Sequence, residues 1–367
     1  MDQDASSRSR IGEVLSTSAA EATARSLIPP GPALPAAEMT AVVAELRESA
    51  ATATDLVLDV MRLPTSQADP VRRRLAAGEI LVVDRLSWAR ANIGAMSAML
   101  DGPVTAVLDR RASESFGKKA PSRAAARASG VELGGLLSYL STRVLGQYEP
   151  FGTDAGRLLL VAPSITATAA KIGADQRDFR LWVALHEETH RVQFAAAPWL
   201  REHLLGLLEE LVASMLGEES PAERLTGGLS GMREVFGPQG SGRLVDLIQN
   251  EVEKDLIDRI TAVMSLLEGH ADVVMDQVGP GVIPSVRQIR RSFDRRRAES
   301  TGLHGVLTKF LGLDAKLEQY RHGAAFVRGV LRQKGHEGLN RVWDDPALLP
   351  DLDEIARPRD WVRRVHG

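Results

Sequence analysis

The fold of this chain is decided by the stretch Leu181-Trp182-Val183-Ala184-Leu185-His186-Glu187-Glu188-Thr189-His190-Arg191-Val192-Gln193-Phe194. It contains the pattern His-Glu-x-x-His, in which two histidines are four positions apart. On an α-helix such residues lie on the same face, one turn from each other. Two imidazoles placed in this way can bind one Zn²⁺, and the glutamate between them can act on a zinc-activated water.

The residues around this motif predict a buried helix with defined ends. Asp175 can cap its first turn, and Asp178 places negative charge near the positive end of the helix dipole. The apolar residues at 181–185 lead into the motif, and Pro198 marks the expected end. We therefore expect the motif to lie on a helix that starts after Asp175 and stops before Pro198.

The composition limits the classes of protein and of metal site. The chain has 367 residues, of which 44% are hydrophobic, so it can bury a large core. It contains no cysteine, which excludes disulfides, cysteine nucleophiles and thiolate zinc sites and leaves histidine and carboxylate ligands. A net charge of −3 argues against a general binder of nucleic acid or of anionic membranes.

Two further observations concern location and partners. No early apolar run has the character of a signal peptide, and no window of about 18 uncharged apolar residues could span a bilayer. We therefore predict a cytoplasmic protein with no membrane partner. Basic residues cluster at 118–127 and at 290–297, but charged, solvated surfaces explain these clusters better than nucleic-acid contact does.

The organisation of the chain follows from changes in composition. Residues 1–35 are rich in Ser, Ala and Pro and are predicted to form a disordered tail. Residues 36–367 are predicted to form one mainly α-helical domain, with a helical N-terminal lobe at about 36–145 and a zinc-site lobe at about 146–367. The best strand is the apolar segment at 157–163, which is closed by Pro163, so we expect at most a small β element.

Other segments carry weaker signals. Residues 71–100 are predicted to form one or two helices, and residues 146–156 a turn-rich connection. Residues 217–242 are predicted to be an exposed connection, and residues 244–278 one long helix or two stacked ones. The C-terminal residues 343–367 are predicted to pack as irregular structure around Trp343 and Trp361.

A catalytic zinc site needs a third protein ligand and an open position. The pattern H-E-x-x-H-x-x-G-x-x-H would require glycine at position 193 and histidine at position 196. The chain has Gln193 and Ala196 there, which excludes that class. The other common third ligand is a glutamate on a separate helix, often within the pattern E-x-x-x-D.

The segment Glu268-Gly269-His270-Ala271-Asp272 supplies that second pattern. Glu268 and Asp272 share a helix face, so Glu268 can bind the metal while Asp272 accepts a hydrogen bond from a ligating imidazole. His270 is the rival ligand, but it lies roughly 200° around the helix from Glu268, so both cannot face one ion. We favour Glu268.

The remaining roles are assigned by position. Glu187 is the expected general base. Glu188 points about 100° away from Glu187 and is interpreted as structural, so its replacement by glutamine is expected to be nearly silent. Tyr320 and His322 are candidate donors to the transition-state oxyanion, and His304 is a further candidate.

Together these segments resemble a known family. The His186 to His190 motif, the segment at 268–272, and Leu311-Gly312-Leu313-Asp314-Ala315-Lys316 with Gln319-Tyr320 are similar to the zincin-like metallopeptidases of actinobacteria. That family is associated with deazaflavin coenzyme biosynthesis by co-occurrence only. The resemblance covers most of the chain and implies a mainly α, zincin-like fold with a Zn²⁺ cofactor. It also implies His186, His190 and Glu268 as ligands, and Glu187 as base.

The sequence thus predicts a zinc-dependent hydrolase, a metallopeptidase that cleaves a peptide or small amide. Two other functions remain open. One is a helical protein that has a structural zinc or a partner-binding cleft and no turnover. The other is a nucleic-acid-binding regulator that uses the arginines at 290–297.

Overall fold

The computed structural model describes residues 9–114, 122–216, 251–298 and 317–367. Within these ranges the fold is mainly α-helical with one small sheet. The helices, numbered in chain order, are α1 (Thr17–Leu27), α2 (Ala36–Met61), α3 (Thr65–Ala77), α4 (Arg85–Glu114), α5 (Arg123–Ser141), α6 (Ala162–Ile172), α7 (Gln176–Ala196), α8 (Leu200–Leu216), α9 (Glu251–Val278), α10 (Val286–Ala298), α11 (Leu317–Asn340), α12 (Leu352–Ala356) and α13 (Pro358–His366). Among these described residues, no helix has both the length and the apolar character needed to cross a membrane.

The sheet has three short strands, β1 (Glu79–Val83), β2 (Gly146–Glu149) and β3 (Arg157–Val161), in the order β1-β3-β2. The predicted strand is confirmed as β3, the central one, whose last four residues are buried. A strand that is covered on both faces reads as a continuous apolar run, which explains why β3 was found from the sequence. β1 pairs with β3 in parallel and β2 pairs with it antiparallel.

The two outer strands were missed by the sequence predictions. β1 lies within a segment predicted to be helical, and β2 lies within a segment predicted to be turn-rich. A short apolar run does not distinguish a strand from a buried helix, and β2 has the mixed sequence Gly-Gln-Tyr-Glu. Both strands are defined by their pairing with β3. Local sequence patterns do not predict such pairing.

The predicted disorder of the N-terminal tail is wrong for the part that the structure describes. Residues 17–27 form α1, in which Ala20 and Ala24 are fully buried. α1 packs against α5 at Gly130 and Gly134, where an added Cβ would lie 2.2 Å from the Ser16 carbonyl oxygen and 2.4 Å from that of Ala20. The two glycines of α5, with the small residues Ala20 and Ala24 of α1, therefore allow the two helices to approach closely.

The C-terminal segment is also more regular than predicted. It contains α12, which begins with a capping box between Asp351 and Glu354, and α13. Trp343 and Trp361 are both fully buried, and the Trp361 indole N–H donates to the Leu348 carbonyl oxygen at 2.8 Å. The tryptophans predicted to be packed are buried, but the backbone around them is largely helical.

The motif helix α7 has the predicted ends. The Asp175 carboxylate accepts a hydrogen bond from the Asp178 main-chain N–H at 2.9 Å, and the helix stops at Ala196, before Pro198. α7 packs against α2 on one side and α9 on another within the larger hydrophobic core. The described part of the predicted second ligand helix is one uninterrupted helix, α9, which ends before Gly279 at a φ of 66°.

A close crossing of α9 and α11 fixes the position of the ligand segment. A Cβ added at Gly269 would lie 2.1 Å from the Gly323 main-chain carbon, so the two backbones are in direct contact. Because Gly269 follows Glu268 directly, this crossing holds the backbone that carries the Glu268 side chain. Only glycine permits such an approach at this point.

Candidate metal centre

The two motif histidines face each other on α7. The Nε2 atoms of His186 and His190 are 3.2 Å apart, and the rings are edge-to-face with their centroids 4.8 Å apart. This arrangement follows from the spacing of four residues, which places both side chains on one side of the helix. Each imidazole therefore directs the same nitrogen towards a shared point.

The carboxylate of Glu268 reaches that point from α9. Its Oε2 lies 3.6 Å from His186 Nε2, and its Oε1 lies 3.6 Å from His190 Nε2. Among the described residues, these three side chains form the one group of histidine, cysteine or acidic residues that could hold a metal ion, with ligand atoms within 4.8 Å of one another. The sequence preference for Glu268 over His270 agrees with this placement.

The distances can be compared with those of a zinc site. Zinc–nitrogen bonds of about 2.1 Å in a tetrahedron give ligand atoms separated by about 3.4 Å. The three separations of 3.2, 3.6 and 3.6 Å lie close to that value. Two imidazoles and one carboxylate are also a donor set that suits Zn²⁺. The residues present therefore fit the metal that the motif predicts.

The centre is open to solvent on one side. The side chains of His186, His190 and Glu268 retain 22%, 14% and 23% of their exposure. All three ligand side chains are therefore partly accessible to solvent.

Glu187 lies on the neighbouring face of α7, directly below strand β2. It is buried, and its Oε2 accepts a hydrogen bond from the Tyr148 main-chain N–H at 3.2 Å. Gly146 also packs on it, since an added Cβ would lie 2.5 Å from Glu187 Cγ. Burial raises the pKa of Glu187 to about 7; Glu268 also raises it, while His190 and the Tyr148 N–H oppose the shift. This carboxyl is held against β2 beside the two motif histidines, a position that suits a proton acceptor.

Glu188 is part of a buried ion pair. Its Oε1 lies 2.9 Å from Arg191 Nη1, and the two side chains are 0% and 7% exposed. Arg191 also donates to the Leu75 carbonyl oxygen at the end of α3. The structure thus agrees with a structural interpretation of Glu188, but its burial contradicts the expectation that its replacement would be nearly silent.

Gln193 is a residue of the site that the sequence analysis missed. It was used only to exclude a third-histidine pattern, yet its side chain is fully buried between α7 and α9. Its Oε1 lies 3.0 Å from His190 Nδ1, and its Nε2 lies 2.9 Å from both the Leu267 carbonyl oxygen and His270 Nδ1. Its position three residues after His190 could have predicted this contact, because residues three apart on a helix are neighbours.

His270 lies away from the metal cluster. It is 3% exposed and stacks edge-on against Trp343 with the ring centroids 5.3 Å apart. The pKa of His270 is lowered to about 3, mainly by burial and to a smaller extent by the nearby His190 and His336. This histidine is a neutral, internal hydrogen-bonding group.

The remaining predicted residues are placed as follows. Asp272 is half-buried on α9, and its hydrogen bond to a ligating imidazole stays a prediction. Because the His190 Nδ1 is bonded to Gln193, that prediction now concerns His186. The His322 side chain is exposed on α11. The Tyr320 side chain and His304 lie outside the described residues.

The basic cluster at 290–297 is partly described. Arg290 pairs with Asp276 at 2.8 Å and also donates to the Asp272 carbonyl oxygen at 3.0 Å. This arginine is therefore engaged within the fold. The side chains at 293–297, and residues 118–121 of the other basic cluster, lie outside the described residues.

Comparison with known proteins defines the class. Residues 16–362 match the family described as zincin-like metallopeptidase. The chain belongs to the zincin-like metallopeptidase family. It is also similar to a solved structure described as "a putative hydrolase with a novel fold from Chloroflexus aurantiacus", with 29% sequence identity and a TM-score of 0.66. That similarity covers 96% of this chain and 99% of the other. No curated protein matches the chain significantly.

Proposed function

We propose that this protein is a zinc-dependent hydrolase of the metallopeptidase type that cleaves a peptide or small amide. His186, His190 and Glu268 are its metal ligands, and Glu187 is its general base. The observation that carries the proposal is the convergence of three ligand atoms from two helices beside a buried glutamate. Membership of the zincin-like metallopeptidase family supports it independently.

The roles follow from the geometry and from general chemistry. Bound zinc would supply Lewis-acid activation of a water and of the substrate carbonyl. Glu187 accepts the proton of the attacking water and returns it to the leaving amine, which requires a pKa near the working pH. The Tyr148 N–H and Gly146 hold the Glu187 carboxylate against β2, so little reorganisation is needed for proton transfer.

The alternative is a helical protein whose zinc is structural or whose cleft binds a partner. Structural zinc sites are closed by four protein ligands, whereas catalytic sites keep one position open. The group found among the described residues contains three such side chains, and each remains partly exposed. These two features favour catalysis.

The test combines metal analysis with a substrate screen. Purified protein is assayed for zinc content and then incubated with a peptide library, with the Glu187→Gln variant in parallel. We expect about one zinc per chain and cleavage that the variant lacks. Zinc bound without any cleavage by the wild type would favour a structural zinc. Absence of zinc binding would overturn both the hydrolase and the structural zinc, and would leave the partner-binding cleft.

A further inference from the structure

The Gln193 amide is the hydrogen-bonding link between the two helices that carry the metal cluster. It is fully buried, and its contacts reach His190 on α7 and both Leu267 and His270 on α9. These three contacts end on a proposed ligand, His190, or on residues within one turn of Glu268. A buried amide of this kind is costly unless each group is paired.

The orientation of this amide follows from its partners. The Leu267 carbonyl oxygen can only accept a hydrogen bond, so the atom 2.9 Å from it must be the NH₂ group of Gln193. The Gln193 oxygen therefore faces His190 Nδ1 at 3.0 Å, and that nitrogen must carry a proton. In a neutral imidazole, the proton on Nδ1 leaves a lone pair on Nε2. Nε2 is the His190 atom that faces the metal cluster.

The same amide also acts on the other helix. Leu267 directly precedes Glu268, so the hydrogen bond to the Leu267 carbonyl holds the peptide group from which Glu268 projects. The second hydrogen of the Gln193 NH₂ is donated to His270 Nδ1, which fixes the same turn of α9 from inside. One side chain thus constrains two of the three proposed ligands.

We propose that Gln193 is a positioning residue of the metal centre, which selects the His190 tautomer and sets the distance between His190 and Glu268. This inference rests on the metal site of the proposed function. The competing explanation is that Gln193 only joins two helices and contributes to stability like any buried hydrogen-bonded amide. The two explanations differ in whether removal of the amide changes the metal centre itself.

Asn340 provides a matched control. It is 2% exposed, and its Nδ2 donates to the Met61 and Arg62 carbonyl oxygens at 3.0 and 3.2 Å, so it also joins two segments through a buried amide. None of these bonds involves the metal cluster. Gln193→Leu and Asn340→Leu should therefore lower the thermal unfolding temperature alike.

The decisive readouts concern the metal and the tautomer. In Gln193→Leu, zinc affinity measured against a chelator should fall about 10- to 100-fold, as when the hydrogen-bond partner of a ligating histidine is lost. The visible absorption spectrum of the cobalt-loaded protein should change as well. Asn340→Leu should leave both unchanged. If Gln193→Leu is destabilised like Asn340→Leu but binds zinc and cobalt as the wild type does, the positioning role is refuted.

Gln193→Glu separates the contact with His190 from the contact with Leu267. A carboxylate can still accept from His190 Nδ1 but cannot donate to the Leu267 carbonyl. We expect nitrogen NMR of the metal-free variant to show the wild-type His190 tautomer, while the cobalt spectrum changes. A wild-type His190 protonated on Nε2 would overturn the inference even if zinc binds. Failure of the wild type to bind zinc would instead overturn the proposed function.

Discussion

The Glu187 carboxylate accepts a hydrogen bond from the main-chain N–H of Tyr148, with 3.2 Å between Oε2 and the nitrogen. This bond joins the motif helix α7 to the edge strand β2. It places the expected general base against a rigid backbone element instead of a loop. The motif identifies Glu187 as the expected base, but the hydrogen bond from strand β2 positions its carboxylate.

Replacement of Glu187 by glutamine tests its role in proton transfer. The amide oxygen can still accept from the Tyr148 N–H, so the fold should be retained, but it cannot take up a proton. General acid–base catalysis is typically worth about 10²–10⁴ in rate, and hydrolysis should fall by that factor. Zinc content should stay at the wild-type level. Unchanged hydrolysis would show that another group is the base.

Gly146→Ala tests whether the position of Glu187 matters. The added Cβ would lie 2.5 Å from Glu187 Cγ, so the carboxylate must move. A displacement of about 1 Å can cost on the order of 10² in rate, and we expect a loss of that size in the steady-state assay with zinc content retained. Gly135→Ala is the control, since nothing lies within 4 Å of its Cβ position. Equal activity of the two variants would contradict this view.

His190→Ala tests the metal site directly. Two remaining ligands hold zinc poorly, so metal content measured after dialysis should drop from about one ion per chain to a small fraction. His203→Ala removes a histidine that lies on α8, outside the cluster, and should retain its metal. Full occupancy in the His190 variant would refute the ligand assignment.

The third ligand is tested by comparing Glu268→Ala with His270→Ala. Loss of Glu268 should reduce zinc affinity more than the roughly 10–100-fold that follows removal of a hydrogen-bond partner behind a ligand. His270→Ala should chiefly lower the free energy of unfolding, because it removes a buried hydrogen bond and the contact with Trp343.

Asp272→Ala should lower zinc affinity by about 10- to 100-fold. Chelator competition on all three variants gives the order, and a larger loss for His270→Ala would reverse the assignment.

Glu188→Gln should be strongly destabilising. It leaves the buried Arg191 guanidinium without its ion partner, and loss of one member of a buried pair typically costs about 3–5 kcal/mol. Urea unfolding of the metal-free protein measures this cost. Glu45→Gln is a useful comparison, because that carboxylate also pairs with an arginine, Arg180, but is itself 43% exposed. A loss as small as that of an exposed pair would show that Arg191 finds another partner.

The local part of the site can be predicted from the amino-acid sequence. The spacing of His186 and His190 places both on one helix face because the α-helix has a fixed period, whatever surrounds it. The same period separates Glu268 from His270. The caps of α7 and the buried central strand β3 also follow from local residue types, and the structure confirms them.

The way in which these parts meet depends on packing between segments that are far apart in the sequence. The contact of Glu268 with the histidine pair depends on the packing of α9 against α7 and on the backbone contact of Gly269 with Gly323. The strands β1 and β2, the ordering of α1 and the contact of the Glu188 partner Arg191 with Leu75 likewise arise from partners distant in sequence. Gln193 illustrates this dependence on packing. The local sequence predicts only a polar residue one turn after His190 on the same helix. Its hydrogen bond to the Leu267 carbonyl exists because α9 packs beside α7. The helix period determines the direction of each side chain from its own helix. The free energy gained by burying apolar surface determines which other segments pack against it.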